Sequence, residues 1–289
     1  MEIIELRPKP PYMITPHIRL FTLPDRPTPC IYNNGCCRRM FQGLIYEAYI
    51  NGEPDDPLLR VKVYRGNARV VRRLIEHVYN VYLDYTEFLE CIKGFPRLYE
   101  IACRYRGLRP ALAPSLFEAL IKSIISHNIS QKLALKTTSR LVELYGERVE
   151  VNGRVFYDFP SPSRLAEVGT MKLKKIGLSI RKAEYIHGIA KAVANGYNLE
   201  FLKKLKPLEA VKELIKFKGV GLWTAKLSLM AATGNLSLDL LEDKAVSRGL
   251  KMLGLRGSDI DHVVKSCRKY VGLIMYLSAL GYESTLKKR

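Results

Sequence analysis

No C-x-x-C pair occurs anywhere in the 289 residues: the six cysteines stand at 30, 36, 37, 91, 103 and 267, without a cluster near the C-terminus. The ligand spacings of structural zinc and of iron–sulfur centres are therefore missing, and no cofactor is expected. Most of these cysteines sit in apolar patterns, which reads as reduced, buried thiols of an intracellular protein. No apolar run reaches the length of a membrane span, so no membrane partner is expected. The start carries Glu2, Glu5 and several prolines where an export signal would carry a charged start and an apolar run. Glutamine is nearly absent, with only Gln42 and Gln131, and there is one tryptophan, Trp223. Acidic side chains are scarce too, at 28 against 47 Lys and Arg, for a net charge of +19.

That imbalance points to a polyanion, with nucleic acid foremost. It is also uneven. Residues 1–105 hold 15 basic and 12 acidic side chains, whereas residues 106–289 hold 32 and 16. The polyanion should lie mainly on the second part, and an RNA platform on the weakly charged front part finds little support.

The length allows roughly two domains. The front part reads as α+β: Leu44–Ile50 as a strand, Asn51-Gly52 as a turn, and Leu59, Val61 and Val63 as the buried side of a second strand. Val71, Leu74, Val78, Val81, Tyr85 and Phe88 recur at helical spacing, predicting one helix from Ala68 to about Cys91. Gly107, Pro110 and Pro114 mark a boundary, placing an N-terminal α+β domain at 1–105 and an all-α domain at 106–289. From Ser115 on, the pattern is helical nearly throughout. Ser115 and Glu118 form a capping box, and helices are expected over 131–145, from Ser161-Pro162, and over 181–195, 207–217, 222–233, 243–253 and 259–280.

Chemistry concentrates in two places. In Phe217-Lys218-Gly219-Val220-Gly221-Leu222-Trp223-Thr224, a helix ends, two glycines turn the chain, and a second helix begins with its amides exposed. Such a start can hold a phosphate without reading sequence, although an ordinary helix connection would look the same in isolation. Twenty residues past Trp223 comes Asp243, which can stabilise positive charge on a sugar or simply cap the helix beginning at Lys244. Asp239 and Glu242 are alternative carboxylates.

The glycine turn resembles the helix-hairpin-helix of the HhH-GPD DNA glycosylases. Asp243-Lys244-Ala245-Val246-Ser247-Arg248 resembles their D-x-x-V-x-R segment at the expected distance, and Ile124–Ser130 resembles their I-I-x-Q-Q-I-S. Phe159–Pro162 and Gly177–Ala183 look like their central segments, so the resemblance spans about residues 115 to 255. With the α+β front, it suggests the branch typified by inducible 3-methyladenine and 8-oxoguanine DNA glycosylases. The resemblance implies a mostly α fold with an N-terminal α+β domain, acting as a monomer on duplex DNA with a damaged base. Asp243 would be the catalytic carboxylate, and Lys218, Gly219, Val220, Gly221, Thr224 and Arg248 would hold DNA. His127 and Asn128 stand where the family has Q-Q and are wedge candidates, or they simply end a helix.

Bifunctional members carry a nucleophilic lysine at the position of Trp223, so the resemblance implies a monofunctional enzyme using water. Lys218, Lys226 and Lys244 stay open as displaced nucleophiles. Trp223, Leu227 and Tyr276 are expected to line the base pocket, with Tyr270 and Tyr282 as further aromatics. Alkylated bases of the 3-methyladenine type come first as substrate, oxidised purines second. A non-catalytic DNA clamp is the competing class.

Overall fold

The computed structural model describes the backbone of residues 2–286 and the side chains of residues 2–280. One antiparallel sheet, in the order β1-β5-β4-β3-β2, is built from β1 (Glu2–Leu6), β2 (Ile31–Asn33), β3 (Cys36–Phe41), β4 (Leu44–Glu53) and β5 (Asp56–Arg65). Between β1 and β2 lies α1 (Thr15–Phe21). Alternation in β5 turns Leu59, Val61 and Val63 to one face, where Tyr46 and Ala48 of β4 join them under α2 (Ala68–Val78). Two local expectations need correcting. β4 runs straight through Asn51-Gly52 and turns beyond Glu53, and the single helix expected over 68–91 is two. Asn80 takes φ +49° after α2, and the Asp84 carboxylate then caps α3 (Tyr85–Ile92) through the Glu87 amide at 3.0 Å. The apolar spacing survives that break, which is why periodicity alone runs across it.

The opposite face of the sheet is covered by a hairpin, β6 (Arg148–Val151) and β7 (Arg154–Tyr157), with Phe156 packed on Met40 and Ile45. Arg154 bonds the buried Glu47 carboxylate at 2.6 Å, and Tyr49 and Tyr64 also donate to it. A helix-only reading beyond residue 115 misses this hairpin. Its signal was Asn152-Gly153, both at positive φ, between alternating residues.

The helical body comprises α4 (Pro96–Arg104), α5 (Leu116–Ser126), α6 (Gln131–Tyr145), α7 (Pro162–Lys175), α8 (Ile180–Ala194), α9 (Pro207–Leu214), α10 (Leu222–Thr233), α11 (Lys244–Met252), α12 (Ser258–Ser266) and α13 (Val271–Leu286). The last two replace one expected helix, divided by a 3-10 turn at Arg268–Tyr270. α3 and α4 pack into this body: Tyr85, Phe88, Ile92 and Leu98 share its core with Leu273 and Leu277. Cys91 and Cys267 form a disulfide across 176 residues, correcting the expectation of six free thiols. Arg109, fully buried, donates to the carbonyls of Lys9, Pro11, Asn80, Val81 and Gly107, tying the segment between the two cores to the front domain. Arg39 of β3 joins the buried Glu118 of α5. Glu118 is thereby turned away from a capping box, and Ser115 caps the Glu118 amide without the reciprocal bond.

Candidate nucleic-acid interface and active site

α9 stops at Leu214, three residues before the expected end, and the chain turns through Phe217, whose carbonyl accepts the Val220 amide at 3.1 Å. Gly219 sits at φ +84°, and a Cβ there would lie 2.0 Å from the Tyr185 ring of α8. Only glycine fits that approach. Gly221 differs: it starts α10 with no side-chain cap, and a Cβ on it would meet nothing within 4 Å. The first bond of α10 runs from the Ala225 amide to the Gly221 carbonyl at 3.0 Å, so the amides of residues 222–224 precede the helical ladder. Lys218 is exposed beside them. Val220 and Thr224 are only 5% and 3% exposed, so their side chains belong to the core, and contact with a strand from either goes through backbone amides. A hollow of about 890 Å³ runs from this hairpin to residues 125–129 and 177–182; Trp223 and Asp243 do not line it.

Asp243 stands at the start of α11. Its Oδ1 accepts the Ala245 and Val246 amides at 2.7 and 3.1 Å, and its Oδ2 accepts the Trp223 indole N–H at 3.0 Å. Capping and a place beside Trp223 thus coexist in one carboxylate. The hairpin helix and the carboxylate, twenty residues apart, meet in that single indole bond.

Both alternative carboxylates are engaged elsewhere. Lys226, three residues after Trp223 and 7% exposed, bonds Asp239 at 3.0 Å and Glu242 at 2.8 Å. Burial pulls the pKa of this ammonium down, but its bonds to Glu242 and Asp239 outweigh that, and the net shift is upward. An amine so held is protonated and a poor nucleophile.

α5 ends at His127, whose ring centroid lies 5.3 Å from that of Trp223 at a 50° tilt. Asn128 follows, exposed and at φ +55°. Lys182 of α8 fixes this corner by donating to the carbonyls of Ile125 at 2.8 Å and His127 at 2.6 Å. Burial, aided by that ammonium, lowers the His127 pKa, so its imidazole is neutral at neutral pH.

Leu227 is half-buried one turn along α10 from Trp223. Tyr276 is half-buried on α13; its hydroxyl lies 2.7 Å from Nδ1 of His17, which stacks on Phe21 at 4.4 Å, so α1 reaches into the helical body. Tyr270 is buried and donates to Glu87, which removes it from the pocket candidates, and the Tyr282 side chain lies outside the described residues. Arg248 is exposed on α11. Sequence reasoning did not single out His17, Lys182 or the Lys226 clamp. For Lys182 the signal was its place inside the Gly177–Ala183 segment; for Lys226 it was helical spacing from Trp223.

A family model described as HhH-GPD superfamily base excision DNA repair protein matches residues 121–271. A DNA-3-methyladenine glycosylase of Bacillus subtilis (strain 168) is 32% identical over 171 residues, covering 59% of this chain and 56% of that protein. DNA-3-methyladenine glycosylase 2 of Escherichia coli (strain K12) is 29% identical over 184 residues, covering 58% and 64%. The chain thus spans less than two thirds of either bacterial relative. The solved 3-methyladenine DNA-glycosylase of Archaeoglobus fulgidus superposes with a TM-score of 0.85 at 29% identity, covering 98% of this chain and 99% of that one.

Proposed function

The chain belongs to the HhH-GPD superfamily of base excision DNA repair proteins, and from that premise we propose that it is a monofunctional glycosylase that releases alkylated, 3-methyladenine-type bases from duplex DNA. The observation that carries this reading is the Trp223–Asp243 bond at 3.0 Å. The glycine hairpin holds backbone phosphate through the amides of residues 222–224, with Lys218 adding charge. The His127–Asn128 corner fills the gap left by the extruded nucleotide. A base made cationic by alkylation stacks on the open face of Trp223, with Leu227 and Tyr276 completing the pocket. As the C1′–N bond breaks, its electron pair leaves with the base, and the sugar becomes oxocarbenium-like. The Asp243 carboxylate, already aligned by two amides and an indole, stabilises that charge, orients the water that attacks C1′, and takes the proton that this water loses as the C1′–O bond forms. No cofactor enters this scheme, and the protein acts as an intracellular, DNA-bound monomer.

Two outcomes test it. Duplexes carrying single defined lesions, incubated with the protein and then treated with alkali, should break at the alkylated base. Asp243→Asn should lower that release by about a hundredfold or more while leaving duplex affinity nearly unchanged. Undiminished release would remove Asp243 from the mechanism. Borohydride should trap no protein–DNA adduct, because Trp223 cannot form a Schiff base and Lys226 is charged between two carboxylates. A trapped adduct would replace water with an amine as the attacking group.

Among the described residues no helix is long and apolar enough to cross a membrane.

A further inference from the structure

Ten residues of irregular chain, 234–243, join α10 to α11, so the meeting of Asp243 with Trp223 depends on how that loop is held. Part of the hold is apolar, through the buried side chains of Leu236, Leu238 and Leu240. The Gly272 amide adds a bond to the Leu236 carbonyl at 2.7 Å. The polar hold comes from Lys226. It lies three residues along α10 from Trp223, so the two side chains leave the same side of the helix. Its ammonium grips the loop at Asp239 and again at Glu242, the residue before Asp243.

We infer that Lys226 is a positioning residue for Asp243: it ties the loop to α10 and neutralises Asp239 and Glu242, leaving Asp243 as the carboxylate of the three that is free of the clamp. The role assigned to Asp243 here rests on the glycosylase reading above. The charge effect follows from proximity. Three carboxylates within five residues repel one another, and the ammonium held between two of them offsets that repulsion.

Trp223 is the sole tryptophan, and its indole N–H is bonded to Asp243, so its emission reports whether that bond is made, whether or not any base is released. The experiment follows emission of the full-length protein at neutral pH, beside single-turnover base release from a duplex carrying an alkylated purine. Asp243→Ala, which removes the acceptor, should shift the emission from that of wild type. Lys226→Met should shift it in the same direction, and its rate of base release should fall by about tenfold or more. Duplex affinity should stay within about threefold, because no phosphate contact is removed. Lys226→Arg should restore both the emission and the rate. Should Lys226→Met fail to fold, Lys226→Gln, which keeps an amide donor toward the carboxylates without the charge, is read in its place with the same expectation. A folded, uncharged variant whose emission and rate of base release stay at the wild-type values overturns the inference. Absence of base release by wild type would instead count against the glycosylase reading, with the fluorescence comparison still decisive for Lys226.

Discussion

α5 and α10 touch along their lengths in one core, yet their starts are treated in opposite ways. At α5 every early amide is closed off: Ser115 Oγ accepts the Glu118 amide at 3.2 Å, and one Glu200 oxygen accepts those of Leu116 and Phe117 at 2.8 and 3.1 Å. At α10 the start is Gly221, exposed and without a side-chain cap. Backbone donors left open at a helix start need a partner, and where the protein does not supply one, a ligand anion can. Closure at α5 serves the fold, and the open start of α10 is the one proposed above to serve binding. The third start, α11, is intermediate, because its amides are satisfied by Asp243, whose other oxygen is turned to Trp223.

The hairpin glycines allow this division to be broken from the binding side, and the largest effect is expected at Gly219. An added methyl would strike the Tyr185 ring at 2.0 Å from a backbone at φ +84°. Gly219→Ala should therefore cost about 3 kcal/mol of stability, from overpacking together with backbone strain. Chemical denaturation measures this. A variant as stable as wild type would mean that the hairpin and α8 are not packed as described. The closed start is next. Glu200→Ala strands two amides at the head of a buried helix and should cost about 2 kcal/mol. Duplex affinity should be unchanged in this variant, measured below its unfolding transition, since Glu200 serves only the fold. Loss of affinity in the folded variant would erase the distinction between the two starts.

The same contrast explains what could be read from the chain. The open start at Gly221 and the carboxylate at Asp243 are legible because each is a local pattern: glycines between two helices, and an acid at a helix head. Their meeting is legible because one helix of known rise separates them from the loop. What closes α5 is not legible, since Glu200 lies 84 residues from the amide it caps and no local spacing links the two. Arg39 with Glu118, 79 apart, and Cys91 with Cys267, 176 apart, escape for the same reason. The break at Asn80 was hidden by apolar spacing that continues through it. The Asn152-Gly153 hairpin has a local turn signal, but it lies among helical patterns that run on either side of it. Two-residue turn chemistry outweighs neighbouring periodicity there.

The smallest effect on stability, and the sharpest separation of binding from folding, is expected at Gly221. Its φ of −86° is open to any residue, and an added Cβ meets no atom within 4 Å. Gly221→Ala should therefore cost only about 1 kcal/mol, the preference of an N-cap for glycine over alanine. The methyl group nevertheless enters the space through which a phosphate would approach the amides of residues 222–224. Duplex affinity should fall about fivefold or more, equally for damaged and undamaged DNA, because backbone contacts carry no base information. Lys218→Ala supplies the matching control. It should weaken binding and reduce the salt dependence of log K by about one phosphate contact, whereas Gly221→Ala should weaken binding with the salt slope retained. Titrating both variants against an undamaged duplex at several salt concentrations separates the cases. If Gly221→Ala binds as wild type does, the open start of α10 faces something other than the strand.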